Sequence, residues 1–106
     1  MRKVRKDGRV AVLYSPGYGC GWSTDNEVQY RETLCMDARI VQAVLDGDID
    51  RACAEAKRIT GAEDLCILGA KELRVEWVPR GWQFNITEFD GYESVVAHEP
   101  PGRMTA

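Results

Sequence analysis

Apolar and polar positions change rhythm along this chain, and each rhythm predicts an element. Val10 to Tyr14 form an unbroken apolar run that reads as a buried strand over 9–15. Ile40, Val41, Val44 and Leu45 recur at spacings of three and four, which predicts a helix over about 36–46 with Gly47 as its stop. Asp48 is placed to cap a second helix over about 49–60. Its apolar stripe is Ile49, Ala52, Cys53, Ala56 and Ile59, and Gly61 ends it. Thr24 with Glu27 three residues on has the form of a capping box, which predicts a short helix or turn opening near Asp25. The short apolar piece from Leu65 to Leu68 fits a strand or a loop equally well.

After residue 71 the period becomes two. Leu73, Val75 and Trp77 alternate with charged residues, and Phe84 and Ile86 alternate with polar ones. Pro79, Arg80 and Gly81 stand between as turn residues. Asp90-Gly91 is a type I′ hairpin signal. A two-residue turn there pairs Phe89 with Tyr92, Ile86 with Val95 and Phe84 with Ala97, which keeps one face apolar. The earlier turn is expected to pair Trp77 with Phe84 and Val75 with Ile86. This register sets Glu88 directly opposite Glu93. Such a pair either projects into water or awaits a cation, an arginine or a partner.

The predicted architecture is α+β: an antiparallel β-meander over 72–97 plus the N-terminal strand, packed on one face by two to three helices. The 106 residues make a single domain, with 1–8 and 98–106 expected as flexible tails. The net charge of −3 argues against a nucleic-acid surface, and the basic residues of the first nine positions read as a solvated strand entry. The longest apolar run is about five residues, against the ~20 needed to span a bilayer. No signal-peptide pattern is seen, so the expected compartment is the cytoplasm and the expected partners exclude membranes. Cys20, Cys35, Cys53 and Cys66 form no C-x-x-C pair, and His98 is the one histidine. Free thiols and no metal or cofactor are expected. Asp46, Asp48 and Asp50 lack the spacing of a calcium loop, and helix capping and dipole compensation account for Asp48 and Asp50 without a metal.

The segment SPGYGCGWST, residues 15–24, concentrates three glycines, two aromatics, a thiol and two hydroxyls after a strand. Backbone N–H groups in such a loop can cradle an anion, although the glycines fit neither the Walker nor the Rossmann spacing. Cys20 between glycines invites comparison with a nucleophile, but its only available base is His98. Aromatics gather in the loop and the hairpin, where they either form a recognition patch or close the core. The candidate binding residues are Tyr18, Gly19, Cys20, Trp22 and Ser23 in the loop, with Trp82, Glu88, Phe89 and Glu93 in the hairpin.

VAVLYSPGYGCGWST (residues 10–24) and LRVEWVPRGWQFNITEFDGYESV (residues 73–95) together resemble a group of short, uncharacterised proteins carried by tailed phages and prophages. In that group a small residue stands where this chain has Cys20, which counts against a required thiol. The resemblance implies a phage accessory protein acting in the bacterial cytoplasm and assigns no catalytic residue. The resulting expectation is a non-enzymatic protein, homodimeric, that binds a host protein as a host-takeover or anti-defence factor. The alternatives are a small-ligand or nucleotide binder using the glycine loop and, behind it, a cysteine-dependent enzyme.

Overall fold

The computed structural model describes residues 1–98 and 104–106. In chain order the elements are β1 (Arg5–Lys6), β2 (Arg9–Tyr14), α1 (Arg31–Met36), α2 (Ala38–Leu45), α3 (Ile49–Thr60), β3 (Arg74–Pro79), β4 (Gln83–Phe89), β5 (Tyr92–His98) and β6 (Met104–Thr105). Single 3-10 turns lie at Ser23–Asp25, Val28–Tyr30 and Leu68–Glu72. The fold is α+β, as the periodicity predicts.

Among the described residues the strands form two antiparallel sheets, ordered β1-β2-β3 and β5-β4-β6. The expected continuous meander is broken between β3 and β4. Trp77 pairs with Ala11 of β2, while Phe84 pairs with Ala97 of β5 and Met104 of β6. The physical reason lies in β2. Val10, Ala11, Val12 and Leu13 are all fully buried, so both faces of that strand need a cover. Ala11 and Leu13 face a cluster with Leu34, Ile40, Val41, Ala52 and Ala56 from the helices. Val10 and Val12 face the second sheet through Phe84 and Met104, with Cys35 and Met36 of α1 alongside. Had β4 stayed beside β3, that second face would lie open. The turn between them bonds instead to the chain's ends: Arg80 N–H donates to the Gly8 carbonyl (2.9 Å) and Gly81 N–H to the Ala106 carbonyl (3.1 Å).

The β4–β5 register is the one the alternation predicts, from Phe89↔Tyr92 through Glu88↔Glu93 and Ile86↔Val95 to Phe84↔Ala97. Asp90 and Gly91 both have positive φ, as a type I′ turn requires.

Two expectations about the ends are corrected. Residues 1–8 are not a free tail. β1 pairs with β2 through an Asp7-Gly8 turn, and the Arg2 carbonyl accepts the Ala38 N–H at the start of α2 (2.8 Å). At the other end His98 belongs to β5, and β6 pairs with β4, with Met104 and Ala106 buried. The rest of the expected C-terminal tail, 99–103, lies outside the described residues. Asp37 caps α2 and Asp48 caps α3 by accepting the N–H groups of Arg39 and Arg51, while Asp46 pairs with the Arg51 side chain. No described helix is long and apolar enough to cross a membrane.

Candidate functional site

The glycine loop leaves β2 at Ser15 and meets the β4–β5 hairpin at once. Ser15 N–H donates to Glu93 Oε1 (2.8 Å), and Glu93 N–H donates to the Ser15 carbonyl (2.8 Å). The other carboxylate oxygen, Oε2, accepts from Trp22 N–H (2.8 Å), Thr24 N–H (3.0 Å) and the Thr24 hydroxyl (2.6 Å). Glu93 is 0% exposed. Its register position on the core face of β5 aims an acid into the fold, and the loop folds around it with main-chain donors. A glycine is needed at position 21 because any Cβ there would run into Glu93 Oε2 and Thr24 Oγ1.

The same carboxylate answers the question of the opposed glutamates. Neither reading of the pair holds for both residues, because Glu93 does not project into water and its carboxylate is already occupied. Glu93 turns inward to the loop, and exposed Glu88 accepts the Gly91 N–H of its own turn (2.6 Å). The short helix or turn expected near Asp25 forms as the 3-10 turn Ser23–Asp25, but without the capping box, since the Thr24 hydroxyl donates to Glu93.

The second half of the loop is sunk into the protein. Trp22 is 0% exposed, and its indole N–H donates to the Leu34 carbonyl of α1 (2.8 Å). Ser23 is buried, and its hydroxyl accepts from the Cys35 thiol (3.3 Å). Burial pushes the Cys35 thiol up to about 12, although the bond to Ser23 works the other way. Asn26 clamps the loop to Cys66 through both its amide oxygen and its amide nitrogen, and the Ser15 hydroxyl donates to the Gly69 carbonyl (2.9 Å). Trp22 and Ser23 are therefore scaffold and not binding surface. Trp82 is half-buried against the second cluster, at the end of β4 away from the Asp90-Gly91 turn.

The first half of the loop stays outside. Tyr18 is 76% exposed and Phe89 73%, and Tyr92 is at the exposed margin. The Tyr18 and Tyr92 rings lie 5.0 Å apart, tilted by 42°. Gly19 N–H donates to the Asp90 carbonyl, which fastens the loop tip to the hairpin turn. Gly91 lies against the Gly19 and Cys20 backbone, where a Cβ would overlap both. Of the residues expected at the site, Tyr18, Gly19, Cys20, Glu88 and Phe89 gather at this junction, and Tyr92 joins them. From the tip, the outer face of the hairpin continues through Thr87, Ser94, Asn85, Val96, Gln83 and His98, without an acidic residue, lysine or arginine.

Two chemical alternatives lose their geometry. The N–H groups of Ser15, Trp22 and Thr24, which would cradle a phosphate, already hold the carboxylate of Glu93, and Gly21 N–H is taken by Asp25 (2.8 Å). Cys20 sits at the Gly91 end of β5, whereas His98 ends that strand. The strand rise puts them roughly 20 Å apart, far beyond hydrogen-bond reach. All four cysteines are free thiols.

The sequence pattern placed Glu93 at the site but missed its task. The available signal was an acid at a core-facing register position, beside a loop rich in unpaired N–H donors. Comparison with protein-family models, curated proteins and solved structures finds no significant match.

Proposed function

We propose that this chain is a non-enzymatic binding protein that engages a protein of a bacterial host, in the cytoplasm, through the aromatic tip formed by Tyr18, Phe89 and Tyr92. The reading joins the phage-carried group that the sequence resembles to one observation: large exposed rings, Tyr18 on the loop and Phe89 and Tyr92 on the hairpin, at a junction where Gly19 N–H donates to the Asp90 carbonyl and Glu93 holds the base of the loop. Rings held in place before binding lose little freedom on contact, which is why aromatics dominate the energetic centres of interfaces. The outer face of the hairpin, which carries no acidic residue, lysine or arginine from Thr87 to His98, extends that surface. It also suits pairing of two copies, since identical faces without charge do not repel each other.

The test is a pull-down from host lysate with the wild-type chain and with a Tyr18→Ala/Phe89→Ala/Tyr92→Ala variant of unchanged melting temperature. The expected result is a stoichiometric partner that the variant fails to retain. Equal recovery by both proteins would move the interface elsewhere. Sedimentation equilibrium of wild type and Val96→Asp checks the homodimer, which the aspartate is expected to disrupt.

A further inference from the structure

The pairing of β1 with β2 holds the basic residues near the start of the chain in a fixed array. Asp7 and Gly8 both have positive φ and make a two-residue turn that sets Lys6 directly opposite Arg9. Arg9 in turn pairs with Pro79 of β3. Positions 9 and 11 of β2 share a face. Ala11 and its partner Trp77 belong to the cluster that the helices cover. Lys6 and Arg9 therefore extend the helix-bearing face of this sheet beyond its apolar rows, and both are exposed. There Lys6, Asp7, Arg9 and the half-buried Trp77 line a cavity of about 410 Å³. β6 lies on the other face of β2, where Met104 packs with Val10 and Val12.

Two cations set opposite each other across a ladder repel, which costs stability in the free protein. An anion held between them relieves that cost. Arg80 adds a third exposed cation at this turn, since its N–H donates to the Gly8 carbonyl (2.9 Å). The net charge of −3 conceals the array, because Arg2, Lys3, Arg5, Lys6 and Arg9 stand together in the first nine residues with Asp7 as their one acid. Val4 packs on the same helix-side cluster as Trp77, and Val4 and Arg2 line a second cavity of about 720 Å³ against the helices. Cationic side chains thus follow the strand from one cavity to the next. An acidic peptide would match the cations alone. A single-stranded nucleic acid supplies a flat base for the indole of Trp77 and a phosphate on either side of it.

We propose that this face binds single-stranded nucleic acid, with a base against Trp77, the flanking phosphates on Lys6 and Arg9, and the strand continuing toward Arg2. The six residues of β2, roughly 20 Å of strand, separate this surface from the glycine loop. It is independent of the aromatic tip, and neither reading requires the other.

The probe is fluorescein-labelled dodecathymidylate, compared with an abasic strand of the same length, thymidine monophosphate and a dodecaglutamate peptide. Binding to the full chain is read by fluorescence anisotropy and competition, and the Trp77 indole N–H signal is followed by ¹⁵N NMR. The thymidylate is expected to bind and to move that signal. Three neutralised phosphates give a slope of about −2 in log affinity against log salt, so affinity should fall roughly twentyfold between about 50 and 200 mM salt. The abasic strand is expected to bind roughly tenfold more weakly, for want of a base to stack. Lys6→Ala/Arg9→Ala, which changes two exposed side chains, is expected to flatten the slope to about −0.7. The comparison among probes uses the wild-type chain, so it stands even where the variant folds poorly. No binding of the thymidylate, equal affinity for the abasic strand, the monophosphate or the glutamate peptide, a slope that the double substitution leaves unchanged, or shifts at Tyr18, Phe89 and Tyr92 in place of Trp77 would each overturn the proposal.

Discussion

The two halves of the glycine loop are alike in composition and opposite in fate. Each contains glycine, an aromatic ring and small polar residues. Residues 21–24 are drawn under the surface, with Trp22 fully buried, while Tyr18 and Gly19 stand in solvent. What separates them is the supply of acceptors. The inner half meets the Glu93 carboxylate, the Asp25 carboxylate and the Leu34 carbonyl. Beyond Ser15, the outer half meets, among the described residues, only the Asp90 carbonyl at the hairpin turn. A glycine-rich loop after a strand is a set of N–H donors, and whether it becomes a ligand cradle depends on whether the protein already fills it. Here a strand residue fills it, and the exposed rings are what remains for recognition.

The largest test removes the shared acceptor. Glu93→Ala strands three N–H groups, two of them buried, and a hydroxyl, at a cost of about 4 kcal/mol or more. Thermal unfolding should show a fall in Tm of roughly 20 °C. A loss of only a few degrees would mean that the loop holds itself without the carboxylate.

Gly91→Ala attacks the seam between the halves and the hairpin. The residue has φ +81° and lies against the Gly19 and Cys20 backbone, so a methyl group is strained twice, at about 2–3 kcal/mol. The amide signals of Gly19 and Cys20 should move further than those of Trp22, which would confine the damage to the outer half.

Asp37 sharpens the comparison from outside the loop, as a second buried acid with a different kind of support. Burial raises its carboxyl, but hydrogen bonds from the Arg39 side chain and backbone N–H, together with the Arg39 charge, bring it below its ordinary value of 3.8. A carboxyl lowered on folding stabilises fully above that ordinary value and loses its contribution as the pH falls through the folded value. Asp37→Asn should therefore flatten the stability–pH curve below about pH 4. Its cost at neutral pH should be only about 0.5–1 kcal/mol, because Arg39 is exposed and its charge is screened. Denaturant midpoints across the acid range measure it.

The smallest effect on stability belongs to the tip. Tyr18→Ala and Phe89→Ala should each change unfolding free energy by no more than about 0.5 kcal/mol, as surface substitutions do, while weakening capture of the partner. A large loss of stability would put those rings in the core and remove the proposed surface.

The β4–β5 hairpin was legible residue by residue, because Asp90-Gly91 fixes the turn and a slip of one residue would invert Phe84 and Ile86. The same dipeptide at Asp7-Gly8 makes the β1 turn, but Arg5, Lys6 and Arg9 around it read as a solvated tail. Charge masked a turn signal that was present. α2 and α3 showed their stripes, and α3 its Asp48 cap, whereas six-residue α1 is too short to show a period. The break between β3 and β4 was hidden because alternation tells which face is apolar and not which sheet covers it. At the site, exposure of Tyr18 and burial of Trp22 were equally compatible with the loop's composition. Only the position of Glu93, fixed by a strand seventy residues downstream, separates them.

Amide hydrogen exchange in the wild-type chain tests that dependence most directly. The N–H groups of Ser15, Trp22 and Thr24 should exchange slowly, close to those of Val12 and Leu13 in β2, although they belong to a loop with no more regular structure than one 3-10 turn, while the Tyr18 N–H exchanges fast. If Trp22 and Thr24 exchange as fast as Tyr18, Glu93 does not hold the loop, and the aromatic tip loses its foundation.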